Sequence, residues 1–483
     1  MELQWNKTAC PYLHTIIRQV QSVEETMELR LPEELPDIGR VLSAWGQCVV
    51  RSKQWRGDGM QASGGVTVSV LYVPEDGSAP RCVESWLPFQ AKWNFPQTRR
   101  EGVMRISSFL RAVDARTLSA RKMMLRANMD LVGEVFEPTE AEIFTPGELP
   151  PGIEVLTNVY PAVLPREAGE KQFTLEEELH VPDVEKWVHF SAQPELTEMN
   201  VVGSRVVMRG SAHVSYLYLD ERGNIHTGKQ DIPFAQFADL DRDYDQKASA
   251  DVQLCVSSIE PEQEGESTRI QCVLVAQYLI KDQSLLEIAE DAYSPICRLE
   301  LNVETLKLPM ELENREEILE AEPLFHDGKV MEMTFLPEAP SQYREGEMIH
   351  LELSGQFRLL YEDAQGEMRS GTENWNASRL IPAAEATHLK PLIESVDNGL
   401  DGGRMKLCLQ TWTDQQIPMI TGLTVGERKS LDSSRPSLIL RPMDADSLWE
   451  LAKENGSTMD AIRKANHLTQ EPHHGQLLLI PVI

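Results

Sequence analysis

The chain has 483 residues, is 41% hydrophobic, and carries a formal net charge of −30 from 46 Lys+Arg against 76 Asp+Glu. That length calls for three or four cores, the apolar content excludes wholesale disorder, and the acidity argues against nucleic acid or an anionic membrane surface as a partner. Seven cysteines are scattered without a C-x-x-C pair, which speaks against a disulfide framework and a zinc site and for free thiols in a reducing compartment.

The first ten residues are polar, with no apolar segment of the signal-peptide kind, and no stretch approaches the ~20 apolar residues that span a bilayer. The expectation is therefore a cytosolic chain without membrane insertion. Residues 1–26 read as a lead-in to a first β unit over 27–145. Inside it, Val66 to Gly77 reads V-T-V-S-V-L-Y-V-P-E-D-G. The pattern returns from Ala212 to Gly223 as A-H-V-S-Y-L-Y-L-D-E-R-G and from Gly355 to Gly366 as G-Q-F-R-L-L-Y-E-D-A-Q-G. Tyr72, Tyr218 and Tyr361 then stand level, each after a leucine (Leu71, Leu217, Leu360) and each five residues before a glycine.

Stepping back by twos gives Val70/Tyr216/Leu359 and Val68/Val214/Phe357, while the alternate positions are Ser69/Ser215/Arg358 and Thr67/His213/Gln356. That period predicts a strand with one face on a core and the other toward water, closed by a hairpin whose glycine takes positive φ. The tyrosines are core or sheet-face residues on this reading rather than a ligand site.

Two further signals keep step with the tyrosines. Pro36-Asp37-Ile38 and Pro182-Asp183-Val184 each precede their tyrosine by 36 residues (72−36, 218−182), and Pro88-Phe89 and Pro233-Phe234 follow by 16 and 15. The third copy has Trp375 in place of a Pro-Phe pair. Each copy ends in an alternating run: Met123, Leu125, Ala127 and Met129, then Ile270, Cys272 and Leu274, then Met405, Leu407 and Leu409.

Thr145 to Gly152, rich in proline and glycine, marks a linker over 146–172. The second and third units are placed at 173–297 and 298–425, with an acidic helix expected over Asn314–Glu322 and a second linker at 426–437. The body is expected to be mostly β: three repeated antiparallel sandwich or barrel-like domains.

From 438 to 483 the pattern changes. Leu438-Ile439-Leu440 reads as a strand, Asp446 or Ser447 as the N-cap of a helix through Ala452 that closes at Asn455-Gly456, and Thr458 to about Asn466 as a second helix. Gly475 to Pro481 is a last strand. The D-S-L-W-E-L-A, K-A-N-H-L and G-Q-L-L-L-I-P segments resemble the LysM family. That resemblance implies a βααβ module with a shallow groove for N-acetylglucosamine-containing glycan. Carried over, one wall is Pro442, Asp444, Asp446, Ser447 and Leu448, and the other is Asn466, His467 and Leu468. The family commonly has glycine before the first-loop aspartate, where this chain has Met443.

Three such β units ahead of a LysM module resemble the SPOCS-type spore-coat assembly proteins of endospore-forming bacteria. The resemblance implies a non-catalytic morphogenetic scaffold, made in the mother cell and placed at the forespore surface. Its LysM module is then expected to dock on the coat's basement-layer ATPase or another coat protein. The alternative is a glycan-binding protein with the β units as spacer.

Catalytic patterns are missing: there is no G-x-S-x-G, H-E-x-x-H, P-loop or G-x-G-x-x-G. Cys10 and His14 would need a shared helical turn that Pro11 disfavours, and His473-His474 are adjacent side chains that do not converge on a metal. Glu176-Glu177-Glu178 reads as a solvated run. No enzyme activity and no cofactor is expected.

Overall fold

A computed structural model describes residues 5–56, 59–94, 102–264, 267–323, 328–384, 387–399, 402–429, 436–444 and 447–483. The first unit has six strands: β1 Trp5–Arg30, β2 Ile38–Arg56, β3 Gly59–Pro74, β4 Arg81–Asn94, β5 Val103–Ser119 and β6 Lys122–Pro146. They make two antiparallel sheets, β1-β6-β5 and β2-β3-β4, with a core between them.

The second unit repeats the plan with β7 Glu154–Leu179, β8 Val184–Asp220, β9 Ile225–Tyr244, β10 Ser249–Glu264 and β11 Ser267–Tyr293. Its sheets are β10-β11-β7 and β8-β9. The 37-residue β8 does the work of both β2 and β3, turning back at Gly203 so that Glu195 lies beside Gly210.

In the third unit, β12 Cys297–Ala321 pairs with β18 Gly403–Arg428, and β18 with β17 Thr387–Asn398. The strand equivalent to β2 is split into β13 Lys329–Pro337 and β14 Ser341–Glu345, both on β15 Met348–Glu362, which also carries β16 Met368–Pro382. Among the described residues no sheet closes into a barrel.

The repeated motif behaves as its period predicts on the core side. Val68, Val70 and Tyr72 are buried with Met123, Leu125, Ala127 and Met129. Val214 is buried with Ile270, Cys272 and Leu274, and Phe357 and Leu359 with their own cluster beside that of Met405, Leu407 and Leu409. The hairpin glycines have φ of 73° (Gly77), 77° (Gly223) and 80° (Gly366). Each donates its N–H back three residues, to Pro74, Asp220 and Asp363. The 36-residue spacing has a cause in the first unit, where the Tyr72 hydroxyl donates to the Pro36 carbonyl at 3.0 Å.

The opposite face meets water only in part: Thr67, His213, Ser215 and Gln356 are partly exposed, but two positions are covered. Ser69 is 2% exposed and Arg358 6%. The reason is that the units close head to tail into a ring. The second strand of each lies on the fifth strand of the next: β2 on β10, β8 on β17, and β13 on β5. At one end of the ring Leu71, Leu217 and Leu360, the leucines before the three tyrosines, meet in one buried cluster with Trp45. At the other end Ile143, Leu164, Ile288, Leu308 and Ile417 form a second cluster drawn from all three units.

Three expected segments differ from the sequence reading. Most of the lead-in is β1, paired along its whole length with β6. Glu154 to Gln172, assigned to a linker, belongs to β7 and pairs with β11. The acidic stretch from Asn314 lies in β12, paired with β18, and is no helix. In each case charged residues on an exposed strand hid the sheet pattern.

The last module is β19 Leu438–Pro442, α1 Leu448–Asn455, α2 Met459–Asn466 and β20 Leu477–Pro481, with β19 antiparallel to β20. Ser447 caps α1 through the Glu450 N–H at 3.2 Å, and Thr458 caps α2 through the Ala461 N–H at 3.1 Å. Gly456 at φ 62° and His467 at φ 52° end the two helices.

Candidate functional site

The module's core is Met443, Leu448, Trp449, Leu451, Ala452, Ile462, Leu478 and Ile480, and it is completed from outside by Tyr293 of β11. Tyr293 meets Trp449 edge to face, centroids 4.7 Å apart, and its hydroxyl donates to the Ser457 carbonyl at 3.0 Å. Asp291 accepts from Trp449 Nε1 at 2.8 Å and from Lys453 Nζ at 2.5 Å. Burial would raise the Asp291 carboxyl, but Lys453 and Trp449 hold it below its ordinary range. The module is thus seated on the second unit, with the Trp449–Lys453 face of α1 occupied.

The two loops predicted as groove walls share one packed base, since Leu468 lies against the cluster that holds Leu448 and Met443. Leu448 is 2% exposed and belongs to the core. The Ser447 hydroxyl oxygen accepts the cap hydrogen bond. Asn466 is spent: its Nδ2 donates to Ile462 O at 2.8 Å and Leu479 O at 2.6 Å, and its Oδ1 accepts from Leu479 N at 2.7 Å. It pins α2 to β20. Pro442, Asp444 and His467 remain exposed, Leu468 is half-buried, and Asp446 lies outside the described residues.

Met443 does not bulk out the groove. It is buried in the core, and its backbone bonds to Gln476 O and Gly475 N, both at 2.8 Å, extend the β19–β20 pairing.

Sequence reasoning missed the other face of this sheet. Leu438, Leu440, Leu477 and Leu479 are 51%, 60%, 62% and 38% exposed and line up across β19–β20 on the side away from the helices. The signal was present: L-I-L and L-L-L-I are continuous apolar runs, whereas a sheet covered on one side only should alternate. Cys10 and His14 lie on β1 rather than on a helical turn, and Arg166 Nη1 lies 3.4 Å from the Cys10 sulfur. His473 and His474 are exposed.

A second concentration of chemistry lies inside the ring. Arg105 is the third residue of β5, Asp251 the third of β10 and Lys390 the fourth of β17, so the three fifth strands bring them together. Arg105 Nη2 lies 2.5 Å from Glu134 and 3.2 Å from Asp251; Lys390 Nζ lies 2.7 Å and 3.4 Å from the same two carboxylates. Arg18 adds a contact to Glu134 at 3.4 Å. Burial works against ionising Glu134, but Arg105 and Lys390 outweigh it and hold the carboxyl at about 2. All four central side chains are buried and paired, which makes this a structural clasp rather than a catalytic pair.

Comparison with known proteins agrees with the two-part architecture. A family model described as SipL, SPOCS domain matches residues 183–261, which fall on β8 to β10. A LysM domain model matches residues 445–481. No curated protein and no solved structure gives a match. No helix among the described residues is long and apolar enough to cross a membrane. The chain therefore joins a SPOCS domain, which sets it in sporulation, to a C-terminal LysM domain, a module of the glycan-binding class.

Proposed function

We propose that the protein is a non-catalytic scaffold of spore-envelope assembly, acting at the forespore surface, whose LysM module docks on a protein of the coat's basement layer. The observation that carries this reading over a purely glycan-binding one is the leucine face of β19–β20. Four exposed leucines on one small sheet suit a protein surface, since glycan hydroxyls gain nothing from aliphatic contact. Asn466, with its amide fully engaged inside the module, also leaves the groove one polar group fewer for a glycan.

The test uses the full chain against the purified basement-layer ATPase and against purified peptidoglycan. The paired change Leu440→Ser and Leu479→Ser alters exposed positions and should leave the melting temperature in place. The expected result is capture of the ATPase by the native chain and its loss in the variant. Retention on peptidoglycan with no capture of the ATPase, abolished by Asp444→Ala with His467→Ala, would instead establish the glycan reading.

A further inference from the structure

Between the first and third units runs a groove of about 480 Å³ whose walls are mostly polar. From the first unit come Ser22, Arg111 and Asn128, and from the third Ser354, Gln356 and Asn376. The Asn128 Oδ1 is buried there without a hydrogen-bond partner. A buried amide oxygen left bare costs free energy that a donor from a ligand would recover.

The groove opens onto the outward face of β15–β16, and that face is unlike its counterparts. Thr372, Asn374, Asn376 and Ser378 alternate along β16, all exposed and all uncharged. Cross-strand register sets Gln356 opposite Asn374 and Ser354 opposite Asn376. On β15 the exposed Glu352 stands opposite Ser378, whereas in the other units the outer-strand row itself carries charge: Glu84 and Lys92 on β4, Lys229, Asp231 and Asp239 on β9. At the far end of the row Tyr343, 52% exposed, stacks on His350 with centroids 4.6 Å apart and planes 10° from parallel. From His350 to Gln356 the face runs roughly 20 Å at ~3.3 Å per residue.

We infer that this groove and face bind a neutral, polyhydroxylated chain, a glycan strand lying along β16. The exposed amides of Asn374 and Asn376 offer donors and acceptors together, and the carboxylates of Glu24, Glu338 and Glu352 add acceptors, a set that matches sugar hydroxyls and repels an anion. An exposed aromatic ring supplies the flat apolar contact that a sugar face needs. A polyanion is disfavoured by a chain of net charge −30. The Arg111–Glu338 pair, at 3.0 Å, is already internally neutralised at the edge of the groove.

The site is separate from the LysM module, so the two can be tested apart on the full chain. The probes are the hexasaccharide of N-acetylglucosamine and cellohexaose, titrated calorimetrically. Asn374→Ala with Asn376→Ala should weaken binding about tenfold, since several neutral hydrogen bonds go at once. Tyr343→Ala should weaken it as well, and because all three positions are on the surface the melting temperature should not move. Asp444→Ala with His467→Ala, in the module's loops, should leave this binding intact. Absence of binding by either sugar overturns the inference. So does binding that the module changes abolish and the β16 changes leave alone, which would assign the glycan to the module instead.

Discussion

Gly64 and Gly210 carry the repeat at the level of single atoms. A Cβ on Gly64 would fall 2.0 Å from the Val49 carbonyl oxygen and 2.8 Å from Phe89 Cζ; on Gly210 it would fall 2.0 Å from Glu195 O and 2.8 Å from Phe234 Cζ. The backbone oxygens cannot give way, so Gly64→Ala and Gly210→Ala should each lower the urea midpoint by an amount equivalent to about 3 kcal/mol. Gly371→Ala, with Tyr361 no nearer than 3.7 Å, should be nearly neutral. His189 supplies the second residue-scale expectation. It is buried between Trp45, stacked at 5.8 Å, and the Ser69 hydroxyl at 3.3 Å, and burial pulls its imidazole down to about 4. An unfolded histidine titrates near 6.5, so the unfolded chain takes up the proton first and stability present above that pH is lost on acidification. The loss should reach about 2 kcal/mol between pH 7 and pH 5. His213 works in the opposite sense: burial is outweighed by Asp231 and Glu195, its pKa is raised, and its stabilisation grows as pH falls. Both proteins keep His213, so the difference in denaturation between the native chain and His189→Phe isolates the buried imidazole. Equal pH slopes in the two would show that His189 does not carry the effect.

Among elements, the short module depends on one side chain for its closure. Asn466→Ala removes three hydrogen bonds and leaves two backbone groups of Leu479 to find water. The expected cost is about 2–3 kcal/mol, confined to the module, and read as faster amide exchange in β19 and β20 with the ring strands unchanged. Uniform protection across the two proteins would remove Asn466 from its pinning role. It also follows that lost binding in this variant says nothing about contact with a ligand. The module was legible in sequence because its caps, turns and apolar runs are local: Ser447, Gly456 and Thr458 do what their residue types imply. The tyrosine hairpins were legible for the same reason, through a two-residue period and a glycine that must take positive φ. β1, β7 and β12 were not, because they are long outer strands whose alternation is broken by bulges near Thr15, Arg166 and Glu311 and masked by exposed glutamates. The role of Asn466 was hidden too, since a motif match cannot tell a side chain that meets ligand from one that holds the loop.

At the scale of the molecule the sequence repeat says three copies, while the contacts say one body. Nothing in the period of Ser69 or Arg358 shows that the next unit covers them; that follows only from ring closure. The buried clasp gives closure an energetic test. Arg105, Asp251 and Lys390 each come from a different unit, and Glu134 binds both cations. Removing one member of a buried ion cluster leaves its partner charged without compensation, typically at a cost of about 3–5 kcal/mol. Lys390→Met should therefore destabilise the whole chain, since Glu134 and Asp251 each lose a buried cationic partner. Adding Asp251→Leu takes away the carboxylate that Lys390 served and returns the cluster to its native net charge, with Glu134 on Arg105 and Arg18, so it should restore most of the loss, because a neutral packed pair often serves as well as a buried ionic one. In calorimetry the three β units should melt together in the native chain, and Lys390→Met should shift that single transition downward as a block. A variant in which only the third unit melts early, with the first two keeping their own transition, would mean that the units are beads on a string and that the clasp couples nothing.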